Sequence, residues 1–233
     1  MRALKISAIS FLNTVPLMWD FEHEPSQEIR ENFEIEYTLP SLCAQALREG
    51  SADVGIIPVI TTAEIPGLVV LPDIAIAALD KVRSIQLVSK KPIEEIRTVA
   101  VDTSSRTSVG LVQVLLTKFF GGARELTPMA PALEAMLESC DAGLLIGDPA
   151  MVVKTDGLYA YDLAEIWRAK TGLPFVFAVW TVRRAALAQL RAGVDLAGIF
   201  QRSRDHGLLP ENVAATAKEW SPRMGLSEAS IAS

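Results

Sequence analysis

The sequence predicts an α/β protein of two lobes, each a mostly parallel sheet flanked by helices, with a ligand cleft between them. Three observations carry that prediction. Short apolar runs of strand length alternate with segments whose apolar residues recur at helical spacing, an order that belongs to parallel sheets covered by helices. The alternation runs once through residues 4–58 and, after the break at Lys90-Lys91-Pro92, begins again at Thr98. Residues 173–182 form the most apolar run in the chain, and their β-branched and aromatic content suits a strand buried on both faces that carries the chain back to the first lobe. The expected division is 1–90 with 183–233 as one lobe and 91–182 as the other.

In the first lobe, residues 4–9 read as a central strand that ends in Ser10-Phe11-Leu12-Asn13-Thr14-Val15-Pro16-Leu17. Thr14 can cap a helix with Pro16 in its first turn, where proline's missing N–H does no harm. Asn13 then projects from the carboxyl end of the strand, where ligands bind in open α/β sheets. It is a candidate contact, with an Asx-turn as the alternative. Residues 33–39 give a second strand. Pro40-Ser41 opens a helix with Ser41 as its cap, Leu42, Ala46 and Leu47 facing the core, and Gly50 closing it. Residues 53–58 are a short buried strand, and 69–79 and 82–89 are two β-rich segments. Ser84 stands among Val82, Ile85, Leu87 and Val88. A buried hydroxyl needs a partner, so Ser84 either bonds a neighbouring strand or loop or points into the cleft.

The second lobe repeats the pattern with strand 98–101, helix 105–120, strand 125–128, helix 131–138 and strand 141–146. Between its first strand and helix lies Val101-Asp102-Thr103-Ser104-Ser105-Arg106-Thr107-Ser108. The opening N–H groups of a helix lack internal partners and the macrodipole makes that end partly positive, so this run suits a carboxylate or phosphate. Arg106 can add a bidentate clamp. Ser104, Ser105, Arg106, Thr107 and Ser108 are therefore candidate ligand contacts; the alternative is a plain serine cap with Arg106 in water. In Leu145-Ile146-Gly147-Asp148-Pro149, Gly147 permits close backbone approach, and Asp148 is either an N-cap or a site carboxylate. A helix over 162–170 is capped by Asp162 and closed by Gly172. Phe175 and Phe177 belong either to the core or to a ligand stack. Helical segments follow at 185–190 and 196–203, and no helix is expected to be completed after Gly225.

Of the 233 residues 50% are hydrophobic and 21% charged, with a net charge of −6. This composition specifies a folded chain, and its acidic balance opposes a nucleic-acid partner. Cys43 and Cys140 stand apart in apolar segments, as reduced core thiols of a cytosolic protein do, and suggest neither a disulfide nor a metal site. No apolar run approaches the roughly 20 residues of a membrane span. The first 19 residues lack a cleavage site, so a cytoplasmic protein with no membrane partner is expected. Monomer and homodimer are both open.

Four ordered motifs also resemble a known family. Ile9-Ser10-Phe11-Leu12-Asn13-Thr14-Val15-Pro16-Leu17, Ser104-Ser105-Arg106-Thr107-Ser108-Val109, Leu145-Ile146-Gly147-Asp148, and Trp167 through Thr171-Gly172-Leu173-Pro174-Phe175-Val176-Phe177-Ala178 are similar to the signatures of chorismate dehydratases of the futalosine route to menaquinone. The resemblance covers nearly the whole chain. It implies a class II periplasmic binding protein-like fold and the dehydration of chorismate to 3-[(1-carboxyvinyl)oxy]benzoate without metal or organic cofactor. For that reaction Asn13, Ser84 and Asp148 are the candidate catalytic residues, with the base either Asp148 or the substrate's own enolpyruvyl carboxylate, and Gly147, Phe175 and the 104–108 run are the candidate substrate-binding residues. The sister family that makes 1,4-dihydroxy-6-naphthoate is expected to use a cleft histidine, whereas here no histidine lies between residues 24 and 205. Family members usually continue with further helices past the position of Ser233. From another class, a non-catalytic binder of a small aromatic or dicarboxylic anion would use the same fold and anion seat.

Overall fold

A computed structural model of the chain describes residues 2–23, 25–104 and 106–232. They fall into two units, Met1–Ile76 with Ala178–Ser233, and Ala77–Phe177.

The first unit begins with β1 (Leu4–Ile9), a 3-10 segment Leu12–Met18, α1 (Trp19–Glu22), α2 (Gln27–Asn32) and β2 (Phe33–Thr38). It continues through α3 (Pro40–Glu49), β3 (Val54–Pro58) and a second 3-10 segment Val59–Ala63 to β4 (Leu68–Ala78), along which the chain leaves the unit. The second unit holds β5 (Ile85–Ser89), β6 (Thr98–Val101), α4 (Arg106–Phe119), β7 (Glu125–Pro128), α5 (Leu133–Ser139), β8 (Ala142–Ile146), α6 (Gly147–Val152), β9 (Tyr159–Asp162) and α7 (Leu163–Thr171). β10 (Phe175–Arg183) returns the chain to the first unit, which ends with α8 (Arg184–Leu187), α9 (Leu196–Gly207), α10 (Pro210–Met224) and α11 (Glu228–Ala232).

The sheet of the first unit has the order β2-β1-β3-β10-β4, with β1 parallel to β2 and β3 and β10 antiparallel to β3. β3 and the stretch of β10 from Phe177 to Val182 are wholly buried, as continuous apolar strands covered on both faces must be. Trp180 of β10 packs on Phe200 of α9, which also meets Phe21 and Phe33, with ring centroids 4.7 to 6.1 Å apart. These rings fasten the helical face to the sheet. The second sheet runs β7-β6-β8-β5-β9, with β6 parallel to β7 and β8, and β5 antiparallel to β8 and β9. One face of it buries Val88, Ala100 and Leu145 against Leu133 and Met136 of α5.

Four expectations are corrected. The sequence places residues 77–90 in the first lobe, but β5 is hydrogen-bonded to β8 and β9, so the first crossing falls in β4, well before Lys90, and Ser84 belongs to the second unit. The returning crossing likewise falls within β10, at residues 177–178. Ser41 is not the cap of α3: Pro40 takes the first helical position behind Leu39, and Cys43, Ala44 and Leu47 face inward while Leu42 is exposed. A helix does follow Gly225, because Ser227 accepts the Ser230 amide on its hydroxyl and the Ile231 amide on its carbonyl and so starts α11. Cys43 and Cys140 are free and buried.

Candidate functional site

In the second unit, antiparallel pairing of β5 with β8 puts the start of β5 beside the end of β8, and parallel pairing puts the end of β6 on the other side of β8, at the same edge of the sheet. Three segments singled out in the sequence therefore share one edge of this sheet: Ser84, Gly147-Asp148, and the 102–108 run. Backbone bonds stitch them together. The Gly147 amide donates to the Ser84 carbonyl at 2.7 Å, and the Asp102 amide donates to the Leu144 carbonyl at 3.3 Å.

Each residue of this edge has a definite local cause. Asp102 is buried and its carboxylate accepts the Ser104 amide at 2.9 Å, an Asx-turn that bends the chain from β6 into α4. Asp102 was not singled out as functional from the sequence, although an aspartate closing a strand before Thr-Ser-Ser carries the signature of such a turn. Arg106 opens α4 and is exposed, whereas Thr107 and Ser108 in the same turn are buried. Thus the hydroxyls of the first turn face inward and the guanidinium faces out. Ser105 lies outside the described residues. Gly147 has φ +63°, which only glycine adopts without strain, and spends its N–H on Ser84 rather than on a ligand. Asp148 is not an N-cap: Ile146 holds that position, and Asp148 sits in the first turn of α6, where its charge complements the macrodipole.

Ser84 is 2% exposed, and its Oγ has no hydrogen-bond partner among the described residues. The bond to a neighbouring strand or loop that the sequence left open is therefore not made by the hydroxyl. A buried hydroxyl left this way costs free energy, so its position calls for a reason.

At the carboxyl edge of the first unit's sheet, Asn13 stands in the 3-10 segment that follows β1. Thr14 shapes this segment by donating to the Ile9 and Phe11 carbonyls, at 2.6 and 2.7 Å, instead of capping an α-helix. Asn13 Oδ1 is buried and, like Ser84 Oγ, unpartnered. The other atoms of this kind among the described residues belong to Arg124, Trp180 and Thr216, and none of those stands at the carboxyl edge of its sheet.

Phe175 is half-buried and packs edge-on to Trp167 at 5.2 Å and tilted against Phe177 at 4.7 Å. His206 is exposed and hydrogen-bonded to Asp20, and His23 is exposed and stacked on Trp19. Among the described residues, no three His, Cys, Asp or Glu side chains gather in a way that could hold a metal ion, and no helix is long and apolar enough to cross a membrane.

Comparison with known proteins places these segments in context. A family model described as menaquinone biosynthesis matches residues 4–233. Chorismate dehydratase of Thermus thermophilus is 34% identical over 131 residues, 49% of this chain and 48% of that protein, so the match spans about half the length of the curated relative. Among solved structures, a protein from Archaeoglobus fulgidus superposes with a TM-score of 0.71 at 17% identity, covering 99% of this chain and 86% of that one. The periplasmic aliphatic sulphonate binding protein of Escherichia coli superposes with a TM-score of 0.64 at 18% identity, covering 100% and 82%. A Candida albicans protein described as having the generic periplasmic binding protein fold gives 0.61 at 12%, covering 99% and 79%. At these identities the likeness establishes the two-lobed periplasmic binding protein-like fold.

Proposed function

The chain belongs to the menaquinone biosynthesis family, and from that premise we propose that it is a chorismate dehydratase, converting chorismate to 3-[(1-carboxyvinyl)oxy]benzoate and water. The observation that carries this reading is the shared edge of the second sheet, which holds an unpartnered buried hydroxyl, Ser84, and, across β8, the buried first-turn hydroxyls Thr107 and Ser108 of α4. The likeness to the Thermus enzyme supports it.

The chemistry suits these groups. Chorismate carries two carboxylates, and the opening turn of α4 offers backbone N–H groups and a partial positive charge to one of them. Removal of the C3 proton pushes electron density through the ring diene toward the C1 carboxylate, where fixed donors stabilise the transition state more than the ground state. The C4–O bond then breaks, the hydroxyl leaves as water with a proton, and the ring becomes aromatic. Aromatisation makes the step strongly downhill, so the protein need supply mainly position and field. Ser104, Ser105, Thr107 and Ser108 are the proposed carboxylate contacts, with Arg106 and Gly147 shaping the loops that present them. Asn13 and Ser84 orient the C4 hydroxyl or the enolpyruvyl carboxylate.

That enolpyruvyl carboxylate is the proposed base, acting within the substrate. Asp148→Asn then keeps most turnover; loss of turnover with chorismate binding intact would move the base to Asp148. The decisive experiment mixes the purified protein with chorismate and follows product by chromatography. Appearance of 3-[(1-carboxyvinyl)oxy]benzoate at a rate proportional to protein supports the enzyme. Binding without turnover favours a non-catalytic anion binder, and no interaction with chorismate removes both the activity and the residue assignments.

A further inference from the structure

We propose that Asp162 is a positioning residue that holds the turn before Ser84 in the one conformation that keeps the Ser84 hydroxyl available to a ligand. The inference rests on the reading of Ser84 as a substrate contact.

By sequence, Asp162 is only the N-cap of α7, and it does fill that role, with Oδ1 accepting the Ala164 and Glu165 amides at 3.0 and 3.2 Å. Its other oxygen reaches out of the helix. Oδ2 accepts the Val82 amide at 3.0 Å, the Arg83 amide at 2.7 Å and the Gln86 side-chain amide at 3.2 Å. The same Gln86 amide donates to the Arg83 carbonyl at 3.1 Å, so the turn is bracketed from both ends.

The turn needs that support. Arg83 has φ +60°, and the Ser84 amide donates to the Val82 carbonyl at 2.7 Å across it. An i to i+2 bond spanning a non-glycine residue at positive φ is the rare, strained form of γ-turn. Strain of this kind persists only where surrounding structure over-determines it, and it gathers at functional sites. Here the consequence falls on the next residue. The Ser84 amide is committed to Val82 and its carbonyl to Gly147, which leaves Oγ as its one uncommitted polar group, inside a buried environment. Had the turn relaxed to an ordinary φ, the start of β5 would rotate and take this hydroxyl with it. Asp162 thus caps its helix through Oδ1, which also accepts the Val82 amide at 3.3 Å, and spends Oδ2 on the address of Ser84.

The two roles separate in a variant. In Asp162→Ser, serine still caps α7 but is too short to reach Val82 and Arg83. We expect the thermal midpoint to change by only a few degrees while kcat for chorismate falls about 10- to 100-fold and KM moves less than about threefold. Adding Arg83→Gly, which adopts positive φ without strain, restores most of the lost kcat. In a Ser84→Ala background, Asp162→Ser costs little more, because both act through one hydroxyl. Unchanged kcat in Asp162→Ser, or no recovery with Arg83→Gly, overturns the proposal. If the wild-type protein does not convert chorismate, the functional reading fails, and positioning is read from the crystal structures of wild type and Asp162→Ser. A displaced Ser84 Oγ then sustains the proposal, and an unmoved one ends it.

Discussion

Gly207, the last residue of α9, lies directly against Pro16 in the 3-10 segment that carries Asn13: a Cβ built on Gly207 would stand 2.5 Å from Pro16 Cα. One turn earlier, the buried Ser203 hydroxyl donates to the Leu17 carbonyl and accepts the Asp20 amide, both at 3.0 Å. The 3-10 segment is therefore held by α9 at two points, and a proline inside it adds rigidity. Since the clashing atoms are backbone, Gly207→Ala forces the segment itself to shift. Overpacking of this kind is expected to cost about 1–3 kcal/mol, measured by urea unfolding, and, under the proposed function, to weaken chorismate affinity because Asn13 shares the segment with Pro16. Ser203→Ala leaves the Leu17 carbonyl and the Asp20 amide without their partner, and should cost a similar amount, about 1–3 kcal/mol, without the steric shift.

Ser84→Ala should separate stability from activity. Its hydroxyl is buried without a partner, so deleting it removes a desolvation cost and should change unfolding free energy by no more than about 0.5 kcal/mol, possible gain included. If the hydroxyl meets substrate, turnover falls on the order of 100-fold. A large loss of stability in urea titration would instead mean that the hydroxyl serves the fold.

The two-lobed architecture was legible because it rests on periodicity. Strand-length apolar runs alternating with helical spacing dictate which elements form, and 98–101, 125–128 and 141–146 reappear with shifts of a residue or less. The sheet to which β5 belongs was not legible. Ile85-Gln86-Leu87-Val88-Ser89 is equally apt beside β3 or β8, since a strand's composition reports burial and not its neighbour. The punctuation at Lys90-Lys91-Pro92 marked a turn rather than a crossing. At the site, Asn13 and Ser84 could be picked out as polar residues at strand ends, whereas their lack of partners depends on tertiary packing. The strained turn at Arg83 left no trace at all, because positive φ is signalled in sequence by glycine or asparagine, and arginine there is held by a carboxylate some 80 residues away.

The cysteines offer a test of the core. Cys43 is fully buried, with the Ser7 hydroxyl donating to its sulfur at 3.2 Å and the sulfur facing the Ala8 carbonyl at 3.6 Å. Burial pushes its thiol up from the ordinary range, against the hydrogen bonds from Ser7 and Thr38 that favour the thiolate. With little thiolate and no access, Cys43 should react with a thiol reagent at neutral pH only as the protein unfolds. Cys140 is also buried, so labelling should be absent from the native protein and reach two thiols per chain in urea. Rapid native labelling at either position would show that its segment opens.

Asp53 sets an acid limit on the first unit. The carboxylate precedes β3 and takes a paired contact from the Arg2 guanidinium at 2.6 and 2.8 Å and the Lys5 amide at 3.0 Å, with Arg183 at 4.0 Å. It thereby ties the start of β1 to β3. Burial works against its charge, but the Arg2 hydrogen bonds, the Lys5 amide and the charges of Arg2 and Arg183 outweigh burial and hold the carboxyl below the usual range. A carboxyl lowered in the folded state stabilises it fully above the unfolded pKa of about 3.9 and loses that contribution as pH falls through the folded value. Wild type should therefore be more stable than Asp53→Asn at pH 7, with the gap in urea midpoint narrowing only below about pH 4. A gap that stays constant from pH 7 to pH 3 would mean that shape, rather than charge, accounts for what Asp53 contributes.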